Sequence, residues 1–195
     1  MSSNQKQLLE FPTDPAAVSL IELGHPLLRR QAKRVTSFEA LPACCNLVVE
    51  KLRQLQGAGL AANQLGIDLQ FMIVEVRQTE LFPDRPTSPL YVMANPVVKW
   101  HGEESDEDWE GCFSVPRLLG LVPRFKSIEV EYNTTDGAHR IERFDGYVAR
   151  VIQHEIDHLN GKVYLDRMTS MQSLSTRDNY LIQVRNKRGN DSASI

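Results

Sequence analysis

Residues 145–161 read DGYVARVIQHEIDHLNG. His154 and His158 lie four apart, with Glu155 directly after the first. On a helix, residues four apart stack on one face. That geometry suits two imidazoles on one metal ion, with Glu155 beside them as a proton carrier. Three fixed residues recur by chance in roughly one chain in 200 of this length, so the helical context has to carry the signal. Asp145 is a good N-cap and Gly161 a good helix stop. Between them Tyr147, Arg150, Val151, His154 and His158 follow one helical face.

Two histidines and a water do not complete a protein metal site, so a third ligand is needed. In one class of zinc proteases the pattern runs on as HExxHxxGxxH; here Gly161 is present, but the final position is Tyr164. The other histidines, His25, His101 and His139, are all upstream, and no glutamate follows Glu155. Asp166 is the nearest later carboxylate, in GKVYLDRM, which reads as a short strand. Cysteine is the other source. Cys44 and Cys45 fall in ALPACCNLVVEKLRQLQ, an amphipathic helix in which both read as core residues. Cys112 sits in EGCFSVP, after the acidic run EESDEDWE and before a proline. A thiolate there could complete a Cys-His-His set with a fourth position open. Asp166 stands as the alternative, and with it a zinc endopeptidase.

GAGLAANQLG, residues 57–66, follows the first helix. Gly59 allows close approach of a substrate backbone, and Gln64 offers an amide N–H to a developing oxyanion. A plain flexible turn is the bland reading of the same residues.

Taken in order, GAGLAANQ, EGCFS and QHEIDHLNG resemble the three signature motifs of the peptide deformylases, and GHPLLRRQAKRV and LVPRF resemble further segments of that family. The similarity spans about residues 20–170. It implies that Cys112, His154 and His158 hold one divalent ion, Fe2+ in the cell, with Zn2+ or Ni2+ as substitutes in purified protein. It also implies that Glu155 is the acid–base residue and that Gln64 and the Phe113 main-chain N–H stabilise the oxyanion. The substrate implied is an N-formylmethionyl nascent peptide, bound as an added strand. Ala58, Gly59, Tyr147 and Val151 are then its candidate contacts, Tyr147 and Val151 lining a methionine pocket. The ribosome near the exit tunnel is a further implied partner. The family pattern pairs Asp157 with Arg124. The chain departs from it at Phe113 for a common leucine, at Ala58 for a larger aliphatic residue, and at Leu119 for an arginine that pairs with Glu110. Arg117 is the candidate substitute for that arginine.

Composition sets the remaining expectations. A chain of 195 residues reads as one catalytic domain, 1–195, with flexible tails at 1–17 and 186–195. A net charge of −3 gives no footprint for sequence-specific nucleic acid binding. No apolar run approaches the ~18 residues of a membrane span, and the first thirty residues lack a signal core. A cytoplasmic monomer is expected. A metal-stapled binding module without catalysis is a third reading, against which Glu155 and Gln64 speak. The pattern predicts a helix over 38–56, strands over 70–76, 91–94 and 97–103, a Pro-rich loop at TELFPDRPTSP, and a hairpin of 127–133 with 139–144 around TTDG. The tail from SLSTRDNY begins helical. The fold class expected is α+β, antiparallel strands packed around a central metal-binding HExxH helix, as in peptide deformylases.

Overall fold

The computed structural model describes residues 18–79 and 85–183. Its largest layer is an antiparallel sheet in the order β1 (Gly59–Ala61), β2 (Phe71–Val74), β3 (Tyr91–His101), β6 (Ser127–Asn133), β7 (His139–Asp145). Strand β2, FMIV, is buried at every position. Alternation along a strand sends successive side chains to opposite faces. Phe71 and Ile73 join one apolar cluster with Leu47, Val48 and Leu52 of helix α1 (Leu41–Gln54). Met72 and Val74 join a second with Ala149, Ile152, Ile156 and Leu159 of helix α2 (Gly146–Leu159). The sheet is therefore covered by α1 on one face and α2 on the other, which is why β2 carries no polar residue. A smaller sheet, β4 (Ser105–Cys112), β5 (Val115–Phe125) and β8 (Ser175–Thr176), packs through Val115 and Val122 onto Val163 and Tyr164 beyond α2. The α+β class with antiparallel sheets agrees with the sequence.

Several elements differ from expectation. Helix α1 starts at Leu41, where Pro42 occupies the first turn, rather than at 38. The two strands expected at 91–94 and 97–103 form one, β3, interrupted by a bulge at Asn95 (φ 54°) and Pro96. Its Asn95 amide ties to Val35, donating to its carbonyl and accepting from its N–H. The acidic run 103–110 lies largely within β4, which the sequence did not suggest. GKVYLDRM is not a strand. Tyr164–Arg167 is a 3-10 turn, closed by the Asp166 carboxylate accepting from the Val163 N–H at 2.8 Å. The β6–β7 hairpin falls as expected, paired from Ser127–Asp145 to Asn133–His139. Residues 177–183 are helical. The expected tails lie outside the described residues, as does part of the Pro-rich loop.

Both ends of α2 have identifiable causes. Asp145 is the N-cap residue, but its carboxylate goes to the Ser127 hydroxyl instead of the helix. Gly161, at φ 72°, ends the helix where residues 29–32 cross it; a Cβ there would lie 2.7 Å from the Arg30 backbone nitrogen. That crossing strap bonds Ala32 N–H to Leu159 C=O at 2.8 Å.

Candidate metal centre

Helix α2 presents His154 and His158 to the end of β4, where Cys112 begins the turn into β5. The three donor atoms lie within 4.8 Å of one another. Cys112 Sγ and His158 Nε2 are 3.1 Å apart. A tetrahedral ion with bonds of about 2.0–2.3 Å needs donors roughly 3.5 Å apart, so these residues fit a metal. His154 Nδ1 meets Glu110 Oε2 at 2.8 Å, the carboxylate–histidine support common behind metal ligands. Burial opposes charge on His154, but its hydrogen bonds to Cys112 and Glu110 outweigh that and hold its pKa well above the ordinary range. Burial holds His158 well below its ordinary range. His158 Nδ1 is buried and has no hydrogen-bond partner in the structure.

Glu155 follows His154 on α2 and is buried. Burial pushes its carboxyl up to about 7, and Oε2 has no hydrogen-bond partner among the described residues. Gly59 lies against it. A Cβ at Gly59 would come within 2.6 Å of both Glu155 Oε1 and Val151 Cγ1. Gly59 is therefore required for β1 to pass α2, a role additional to the backbone approach that the sequence suggests. The Glu75 N–H donates to Ala58 C=O at 2.9 Å, and with Gly59 opposite Val74 the alternation of antiparallel pairing turns the Gly59 N–H and C=O to the open edge of β1. Ala58, Tyr147 and Val151 share one apolar cluster, with the Arg85 guanidinium over the Tyr147 ring.

Gln64 is buried, and its side-chain oxygen accepts from the Ala61 N–H at 2.9 Å. Its Nε2 faces Ser114 Oγ at 3.2 Å and Cys112 Sγ at 3.5 Å. Phe113 follows Cys112 in the β4–β5 turn, its ring against Gly57. Cys44 and Cys45 are buried in the α1 cluster, as the sequence suggests. Asp166 is engaged elsewhere, by Arg29 Nη1 at 2.5 Å and by its own turn.

The Asp157–Arg124 pair forms at 2.6 Å. Arg124 also forks onto Glu110 at 2.9 and 3.0 Å, so one guanidinium ties α2 to β4. Arg117 does not substitute for the missing arginine: it is exposed and faces Asp178 at 3.8 Å. Glu110 is instead met by Arg150 Nη1 at 2.9 Å. Ser114 and Arg150 are site neighbours that the sequence does not mark. Arg150's position four before His154 was the only available signal.

The polypeptide deformylase family model matches residues 18–174. Peptide deformylase 1 of Bordetella pertussis is 40% identical over 157 residues, 78% of this chain and 88% of that protein. Peptide deformylase 1 of Nitrosomonas europaea is 37% identical, over 82% and 92%. Among solved structures, the class I type b peptide deformylase of Acinetobacter baumannii with bound Met-Ala-Ser superposes with a TM-score of 0.75 at 31% identity, covering 77% of this chain and 98% of that one. The Synechococcus elongatus peptide deformylase in complex with actinonin gives 0.72 at 32% identity, over 83% and 84%.

Proposed function

The chain belongs to the polypeptide deformylase family, and from that premise we propose how its residues divide the work. The reaction is removal of the formyl group from the N-terminal formylmethionine of newly made polypeptides, a metal-dependent amide hydrolysis. Cys112, His154 and His158 would hold the ion, which when bound supplies Lewis acidity to a carbonyl and acidifies water. One thiolate and two imidazoles suit Fe2+, Zn2+ or Ni2+; we take Fe2+ as the ion in the cell. Glu155 Oε2 takes the proton of the attacking water and later passes it to the departing amine nitrogen. The charge that grows on the formyl oxygen meets Gln64 Nε2 and the Phe113 N–H. Ala61 and Ser114 keep the Gln64 amide turned the right way for this.

The peptide enters as a strand. Both sheets end near the centre in an edge strand, β1 and β4. The outward N–H and C=O of Gly59 read main chain without regard to side chain, and Ala58, Tyr147 and Val151 take the methionine side chain. The whole acts as one catalytic domain, a cytoplasmic monomer working near the ribosomal exit. No helix among the described residues is long and apolar enough to cross a membrane. Gel filtration and co-sedimentation with ribosomes test the state and the partner.

The observation that carries the assignment is the convergence of Cys112, His154 and His158 within 4.8 Å, together with a buried Glu155 oxygen that has no hydrogen-bond partner among the described residues. Metal analysis of protein purified without oxygen tests it. Cys112→Ser, His154→Ala and His158→Ala should each lose the ion, and Asp166→Asn should keep it. Full retention in Cys112→Ser with loss in Asp166→Asn would favour the endopeptidase arrangement instead.

A further inference from the structure

Glu110 is a buried carboxylate with four close donors. Oε2 takes His154 Nδ1 at 2.8 Å and Arg124 Nη2 at 3.0 Å. Oε1 takes Arg124 Nε at 2.9 Å and Arg150 Nη1 at 2.9 Å. Arg150 and His154 come from the same helix, one turn apart, and grip opposite oxygens of one carboxylate. Arg150 is itself fixed. Its Nη1 also donates to Val122 C=O, and its Nη2 to the main-chain and side-chain oxygens of Asp106, each at 2.9 Å. Its planar fork therefore joins β4, β5 and α2 at one point, which a point-charge ammonium cannot do.

Resting on the metal-site reading above, we infer that Arg150 is a positioning residue for the ligand His154. By pinning Oε1 of Glu110 it leaves Oε2 one place to be, and that oxygen sets the plane of the His154 ring and the direction of its other nitrogen. Arg124 alone does not suffice, because it is also drawn to Asp157 at 2.6 Å and can pull the carboxylate toward that pair. No other guanidinium approaches Glu110 among the described residues, and Arg117 on the opposite strand turns away to Asp178.

The test uses Co2+-loaded protein and reads three things: the visible spectrum, the rate of Co2+ loss to a chelator, and the melting point of the metal-free form. Arg150→Met should lose Co2+ roughly 10–100-fold faster, the usual effect of removing support behind a ligand, with shifted visible bands. Arg150→Lys should recover part of both. Asp106→Asn loosens the far end of Arg150 at a side chain 54% exposed, a change the fold tolerates, and should shift both readouts the same way by less. The double variant Arg150→Met/Glu110→Gln should lose Co2+ no faster than Glu110→Gln alone. Unchanged spectra and loss rates in Arg150→Lys and Asp106→Asn, with only the metal-free melting point lowered, would overturn the positioning role and leave the metal site standing. Failure of the unsubstituted protein to retain Co2+ would overturn both.

Discussion

Glu155, the proposed base, is a carboxyl whose pKa the fold raises. Desolvation brings it to about 7, and a cation bound nearby would draw the value back down. A base works only when ionised, so kcat/KM should rise with pH as this proton leaves, the limb lying at or below neutrality. Glu155→Gln should keep the metal, lose that limb, and turn over formyl-Met peptide at least ~100-fold more slowly. Metal analysis together with a pH–rate profile checks all three. Gly59→Ala is the companion test: its methyl would come 2.6 Å from Glu155 Oε1. Overpacking of this kind costs about 1–3 kcal/mol, so a lower denaturation midpoint and reduced turnover are expected together. At this scale the sequence was informative where chemistry follows spacing along one chain, as in His154, Glu155 and His158. It was silent on Ser114 and Arg150, whose meaning depends on partners brought in from other strands.

Arg124 is the tie between elements. It is buried between Glu110 of β4 and Asp157 of α2, and Arg167 closes the far side of Asp157 at 2.5 Å. Removing one member of a buried charge group strands its partners, at about 3–5 kcal/mol. Arg124→Met should therefore lose about that much in chemical denaturation, whereas Lys126→Met, whose surface pair lies with Glu104, should change little. The same pairing explains why β4 was illegible. Asp106 and Glu110 lie four apart along it and both meet Arg150, and a run of acids reads as a solvated loop until such guanidinium partners are known. The helices and the β6–β7 hairpin were legible because their signals are local: apolar periodicity, caps and a turn sequence. GKVYLDRM misled for the opposite reason. Its apolar residues serve the small core, while Asp166 folds back on Val163 and curls the backbone into a turn.

At the scale of the whole molecule, α2 with His154 and His158 and β4 with Cys112 come together at one place, so an ion that binds only the folded chain would stabilise all of it. At 100 times its Kd that linkage amounts to about 2.7 kcal/mol. Chelation should lower the melting point, re-addition should restore it, and Cys112→Ser should show little of either response. The reaction itself separates the readings most sharply. An endopeptidase would cut inside a peptide, and a metal-stapled module would leave it intact. The decisive measurement is the product analysis of an N-formyl-Met tripeptide incubated with metal-loaded protein. One formate should appear for each new free methionine amine, with every internal peptide bond preserved. Cleavage between residues, or an unchanged formyl peptide in the presence of a full complement of metal, would contradict the assignment.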